Sequence, residues 1–332
     1  MWLGYHRRLM RWLIPVVLVL AAPANAFDLQ GHRGARGLAP ENTLAAFETA
    51  LSIGVSTLEL DLAMTRDGVL VISHNRALNP DHTRGPDGKF LDREGPAIRS
   101  LTLAELQRYD VGRLKPGSGY ASDFPEQRAV DGARIPALTE LFDLVRRAGA
   151  DHVRFNIETK ITPGSGAETP DPETFAAAVA KAVREAGLTA RVSMQSFDWR
   201  TLAALKRIAP EIERVCLTVE ALNFDTIRRG EPGPSPWLGG LDIDDAGGSV
   251  PRLVAAAGCA TWSPLYRNAK PDDVAAAQAL GLKVIPWTVN ERADMERLIA
   301  LGVDGIITDY PDRLRAVMAA RDMPLPPQVK AP

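Results

Sequence analysis

What the chain lacks sets its first limits. Only two cysteines, Cys216 and Cys259, occur among 332 residues, which excludes a disulfide-dependent scaffold at this size. The favoured reading of that pair is two small buried hydrophobes, although an exported protein could bridge them. No apolar run reaches the roughly 20 residues needed to cross hydrocarbon; the longest, Leu13 to Ala22, is about half of that. Charge of one sign is missing too: 39 basic against 41 acidic residues leave a formal −2, too little to draw the chain to nucleic acid or an anionic membrane. Histidine is scarce, with five in all. The remaining composition, 45% hydrophobic and 24% charged, is ordinary for a globular protein.

The apolar run belongs to a leader. Arg7, Arg8 and Arg11 precede it, and Ala24-Asn25-Ala26 follows as a small-residue cleavage site. Residues 1–26 are therefore expected to be a cleaved signal peptide, with no cysteine after them for lipidation. Removing those three arginines takes the formal charge from −2 to −5. Residues 27–332 are then expected to form one periplasmic or secreted domain, with no stable membrane insertion.

In that region, apolar runs near 28–34, 56–64, 152–160, 191–197, 213–219, 259–264, 283–288 and 304–308 read as strands. Between or after them fall helical patterns at 42–53, 138–148, 172–186, 199–208, 250–257, 271–280, 291–301 and 312–320. Strand-helix alternation repeated eight times predicts an α/β fold, a (β/α)8 TIM barrel. The units VREAGLTARVSMQS, AQALGLKVIPWTVN and LIALGVDGIITD each carry a glycine stop between helix and strand.

VLVISHN, Val69 to Asn75, follows the second strand after only TRDG. A parallel crossover needs a dozen or more residues, so this run must turn back as a hairpin strand. Pairing around Asp67-Gly68 places His74 beside Leu60 or Asp61. An insertion of about 78–134, rich in Asp, Gly and Pro, follows, and EPGPSPWLGGLDIDDAGGS forms a second excursion between the fifth and sixth strands.

A barrel gathers its site at the carboxyl ends of its strands. Polar residues there are His32 and Arg33, Glu59 and Asp61, Glu158 and Lys160, Gln195, and Trp287. Glu59 and Asp61 share one face of a strand, as do Glu158 and Lys160. Three inward carboxylates need a countercharge, and oxygen-only ligation suits Ca2+ or Mg2+ rather than zinc. A salt-bridge cluster with Arg33 and Lys160 is the alternative. The histidines favour chemistry: His32 and His74 near such a cation suit acid and base work on a phosphate ester, with Arg33 and Lys160 holding phosphate oxygens. His82 and His152 are read as structural or solvated.

The stretch GHRGARGLAPENTLAAFETALSIGVSTLELDLAMTRDGVLVISHN resembles the glycerophosphodiester phosphodiesterase signature. The resemblance continues in FNIETK, MQSFD, PWTVN and GVDGIITDYP, over roughly Asp28 to Asp312. It implies an exported, bacterial-type enzyme that hydrolyses glycerophosphodiesters to glycerol 3-phosphate and an alcohol. His32 and His74 would be the acid/base pair. Glu59, Asp61 and Glu158 would hold one divalent cation, Ca2+ favoured over Mg2+, and Arg33 and Lys160 would contact phosphate. Glu41 matches a supporting glutamate, and Phe197 and Trp287 match aromatics around glycerol. The glycerol 2-hydroxyl would attack phosphorus, giving a cyclic intermediate that water opens.

Two departures stand out: Asn75 where the family usually has aspartate, and Thr159 where it commonly has leucine. Rival readings are a lysophospholipase D-like or sphingolipid phosphodiesterase on the same barrel, a non-catalytic glycerophosphodiester-binding protein, and a glycosidase, which would leave the histidines idle.

Overall fold

The computed structural model describes Met1 and residues 26–330; the expected signal peptide lies almost wholly outside them. Among the described residues no helix is long and apolar enough to cross a membrane.

The chain runs β1 (Asp28–Gly31), α1 (Leu44–Ile53), β2 (Thr57–Met64), β3 (Leu70–Ile72), α2 (Leu103–Leu106), α3 (Gly119–Asp123), α4 (Leu138–Arg147), β4 (Arg154–Thr159), α5 (Pro172–Glu185), β5 (Val192–Ser196), α6 (Trp199–Ile208) and β6 (Glu213–Thr218). A short pair, β7 (Glu220–Ala221) and β8 (Phe224–Asp225), precedes α7 (Val250–Ala257), β9 (Thr261–Pro264), α8 (Pro271–Ala279), β10 (Lys283–Val284), α9 (Arg292–Leu301), β11 (Gly305–Thr308) and α10 (Pro311–Ala319). The parallel order is β10-β9-β6-β5-β4-β2-β1-β11. Asp304 N donates to Val284 O and Ile307 N to Pro286 O, at 2.9 and 3.0 Å, so the two outer strands meet and the sheet is a nearly closed eight-stranded barrel. β3 lies outside that circle, antiparallel to β2 with Leu62 opposite Ile72. Ser73 N then donates to Asp61 O, which brings the chain back from the end of β2 and sets His74 level with Asp61.

The strands are two-faced for a simple reason: successive side chains point to opposite sides. Leu58, Leu60 and Leu62 of β2, Phe155 and Ile157 of β4, and Met194 of β5 pack in the core with Phe47, Leu51, Phe142 and Phe175 from the helices. Alternate residues are polar. Gln195 of β5 bonds Glu59 of β2 across the intervening β4, which places both side chains in the bore.

The 78–134 segment carries a small apolar cluster of its own, with Leu78, Ile98, Leu106 and Val111 against Ala63 and Val71. Thr102 caps α2 in a capping box with Glu105.

One expectation is corrected. Cys216 and Cys259 are not separate buried hydrophobes but a disulfide, with Cα atoms 5.9 Å apart. The reason is topological: β6 and β9 are parallel neighbours, with Cys216 opposite Trp262, and a sequence separation of 43 conceals that adjacency.

Candidate active site

The loop after β1 turns sharply because two glycines allow it. A Cβ at Gly31 would meet the Gly34 carbonyl oxygen at 2.2 Å, and Gly34 itself (φ +84°) lies against the Ala46 backbone. The turn leaves Arg33 in the left-handed region (φ 51°), unusual for a residue with a Cβ and commonest at functional sites.

Each polar residue of PENT then has a separate task. Glu41 Oε1 accepts from Arg33 Nη1 at 2.9 Å. Asn42 Nδ2 donates to Asp61 Oδ2 at 2.9 Å. Thr43 caps α1 by accepting from Ala46 N. Burial alone would raise Glu41, but the Arg33 guanidinium overrides it and holds the carboxyl well below its ordinary range.

His32 sits behind this turn with Nδ1 2.6 Å from Asp309 Oδ1, and Nε2 3.9 Å from Glu59 Oε2. Arg36 grips the same Asp309 through Nε and Nη2, at 2.8 and 2.9 Å, and Asn290 donates to it at 2.7 Å. Burial depresses His32 to about 4, against the upward pull of Asp309. The imidazole is therefore neutral near pH 7. With Nδ1–H donating to the carboxylate, Nε2 keeps its lone pair.

Sequence reasoning missed Asp309, although it follows β11 at the barrel's carboxyl end, the same position that singled out the other residues. It also missed Arg36, Asn42 and Tyr120. Tyr120 comes from α3 in the 78–134 segment, and its hydroxyl donates to Glu41 Oε2 while accepting from Arg36 Nη1.

The expected carboxylates do meet. Asp61 lies opposite Glu158 in the β2–β4 register, and Glu158 opposite Gln195 in the next pair. Ligand oxygens of Glu59, Asp61 and Glu158 all lie within 4.8 Å of one another. Burial, with Asp61 and Glu158 close by, pushes Glu59 well above its ordinary value. Glu158 is pushed up to about 7 by burial, against the Lys160 ammonium. Asp61 alone is held down, because Arg33 and then Lys160 outweigh its burial.

Lys160 Nζ stands 2.7 Å from Glu158 Oε1 and 3.6 Å from Asp61 Oδ1, yet Asp61 Oδ1 is buried without a hydrogen-bond partner. Three crowded oxygen donors, one of them unpartnered, fit a hard divalent cation. Arg33 Nε lies 3.2 Å from Asp61 Oδ2 without hydrogen-bond geometry, so this guanidinium leans on two carboxylates and faces the cavity.

That cavity, about 190 Å³, is lined by His32, Arg33, Glu59, His74, Glu158 and Lys160, with Gln195, Phe197 and Trp287 also in its wall. His74 is lowered by burial and by the Arg33 and Lys160 charges. A second cavity of about 390 Å³ shares His74, Lys160, Phe197 and Trp287 and extends past Asn75 to Phe224 and Trp237. Its aromatic rings meet edge to face, Phe197 on Trp287 and on Phe224, and Phe224 on Trp237, at 5.2 to 5.3 Å between centroids. Phe224 stands on β8 and Trp237 in the excursion that follows it, and sequence reasoning assigned them nothing. Of the histidines set aside, His152 is exposed at the opposite end of the barrel, and His82 rests against the Tyr120 ring.

The chain as a whole has known relatives. The model of the Glycerophosphoryl diester phosphodiesterase family matches residues 32–313. A protein of Caldanaerobacter subterraneus subsp. tengcongensis named glycerophosphodiester phosphodiesterase is 32% identical over 285 residues, covering 85% of this chain and 94% of its own. A crystal structure from Silicibacter pomeroyi superposes with a TM-score of 0.79 at 36% identity, over 91% of this chain and 96% of that one. A phosphodiesterase of Oleispira antarctica, solved with its product sn-glycerol-3-phosphate, shares the fold with a TM-score of 0.62 at 24% identity, over 87% and 96%. The chain belongs to the glycerophosphoryl diester phosphodiesterase family and is an enzyme of that class, a phosphoric diester hydrolase.

Proposed function

We propose that this enzyme hydrolyses glycerophosphodiesters to glycerol 3-phosphate and an alcohol with His32 and His74 as its proton-transfer pair and one divalent cation at Glu59, Asp61 and Glu158. The observation that carries the reading is an Asp309-bound His32 that shares one cavity with Glu59 and Glu158, whose carboxylates group with the buried Asp61, its Oδ1 without a partner. The cation, when bound, supplies positive charge for the phosphate oxygens; the family and the donor set favour a hard ion, and an exported enzyme meets Ca2+ more than Mg2+.

His32 is suited to act as base, its Nε2 free and its ring fixed by Asp309. It takes the proton of the glycerol 2-hydroxyl as that oxygen attacks phosphorus. The bond to the alcohol oxygen breaks, and His74 delivers a proton to that oxygen. The negative charge of a bound diester works against the depression of His74 and favours the imidazolium it needs. Water then opens the cyclic phosphate with the roles reversed. Lys160 is placed to neutralise phosphate oxygens, and Arg33, steadied by Glu41, to orient them.

Export is supported by the leader and by the Cys216–Cys259 bridge, which persists in an oxidising compartment. The aromatic second cavity favours one further reading, that alcohols with apolar surface, lysophospholipids among them, are accepted.

The test is glycerol 3-phosphate release from glycerophosphocholine by the mature protein. Chelation should abolish release and Ca2+ restore it, and His32→Ala and His74→Ala should each lower kcat by about 10²–10⁴. Diester binding without release under any cation would instead identify a capture protein.

A further inference from the structure

The bore of the barrel holds a chain of side-chain amides that the proton-transfer scheme does not use. At its amino-terminal end Asp28 accepts from Arg154 Nη2 at 2.6 Å and from Thr57 Oγ1 at 2.7 Å. Gln30 Nε2 donates to Asp28 Oδ2 at 2.9 Å. Asn156 Nδ2 donates both to Gln30 Oε1, at 3.0 Å, and to Gln195 Oε1, at 2.9 Å. Gln195 Nε2 completes the chain on Glu59 Oε1 at 2.7 Å. Asn156 Oδ1 is itself satisfied by Ser193 Oγ at 3.0 Å. Gln30, Asn156 and Gln195 are at most 3% exposed.

The direction of every amide follows from the two ends. Asp28 accepts, and Glu59 accepts in the ionised form that holds a cation, so each glutamine turns its NH2 outward, Gln30 to Asp28 and Gln195 to Glu59, and both carbonyl oxygens turn to the centre. Those two acceptors need two donors from one position, and the two hydrogens of Asn156 Nδ2 supply them. An apolar side chain would fill the bore as barrels usually do, but would leave buried carbonyls unsatisfied and Gln195 free to rotate. Glu59 is thereby held at both oxygens, since Oε2 accepts from Arg33 N at 2.8 Å.

We propose that Asn156 is a positioning residue for the cation site: it fixes the Gln195 amide with its NH2 on Glu59 Oε1, and so sets the Glu59 carboxylate within the group it forms with Asp61 and Glu158. The inference rests on the cation reading under Proposed function and concerns how that site is held. Outer partners of this kind typically alter affinity by about 10–100-fold when removed.

The test is calorimetric titration of the cation-free protein with Ca2+ and, separately, Mg2+, for wild type, Asn156→Asp and Asn156→Ser. Aspartate is nearly isosteric but offers acceptors to both glutamines, so Gln195 must turn its carbonyl toward Glu59. Asn156→Asp should bind the cation about 10–100-fold more weakly, with turnover recovering as the cation is raised. Asn156→Ser keeps one donor and should fall between. A space-filling role would lower the thermal midpoint and leave affinity alone, so a folded Asn156→Asp protein within twofold of wild type overturns the inference. If Asn156→Asp does not fold, the same limit applied to Asn156→Ser decides. A wild type that binds neither ion overturns the cation reading itself, and this inference with it.

Discussion

At the scale of single residues, the strongest consequence concerns a pair that lies 277 positions apart in sequence. Asp309 fixes which nitrogen of His32 carries the proton, and a carboxylate in that place leaves Nε2 unprotonated, as the proposed base requires. Asparagine there can donate to Nδ1 and reverse the tautomer. Asp309→Asn should therefore lower kcat by a large part of the about 10²–10⁴ expected for His32→Ala. Since both act through one imidazole, the double variant should be no slower than His32→Ala alone. Steady-state kinetics of the four proteins checks this; additive losses would mean that Asp309 works through Arg36, which grips the same carboxylate. The strand-end rule that found Glu59, Asp61 and Glu158 reaches Asp309 as well. No such rule reaches Arg36 or Asn42, whose partners are set by the fold of a turn and not by spacing.

At the scale of elements, the barrel strands and their helices were legible because two periods alternate along the chain, and within β2 and β4 the period of two separates Leu58, Leu60 and Ile157 from Glu59, Asp61 and Glu158. The excursions were not, since segments without periodicity do not announce where their side chains go. Tyr120 reaches Glu41 from one of them, and Trp237, beside Phe224 of β8, walls the second cavity from the other. That wall adjoins the histidine proposed to protonate the alcohol, so its place is beside the leaving group. Trp237→Ala should lower kcat/KM about tenfold for diesters of aryl or acyl-bearing alcohols, the loss expected from removing one aromatic contact of about 1–1.5 kcal/mol, and change glycerophosphoglycerol turnover little. Competing-substrate assays read the ratio directly. Equal losses on both substrates would make the tryptophan a structural support of the excursion.

At the scale of the whole molecule, the order of strands decides what the sequence could not. Two cysteines in a chain of this length suggest nothing until β6 and β9 are known to be neighbours, because the intervening residues include both the aromatic excursion and α7. The bridge then joins β6 to the chain entering β9 and closes a loop that contains that excursion. Its effect on stability is chiefly to restrict the unfolded chain, and for a separation of 43 residues the loop-entropy relation gives about 4 kcal/mol. The double variant Cys216→Ala, Cys259→Ala should unfold at correspondingly lower denaturant than the oxidised wild type, and reduced wild type should fall close to it. Equilibrium unfolding in guanidinium, with and without reductant, measures the difference. A gap below about 1 kcal/mol would mean that the neighbouring strands already hold these positions together in the unfolded chain, or that the bridge does not form; counting free thiols in the denatured protein separates those two outcomes, and with them the case for an oxidising compartment.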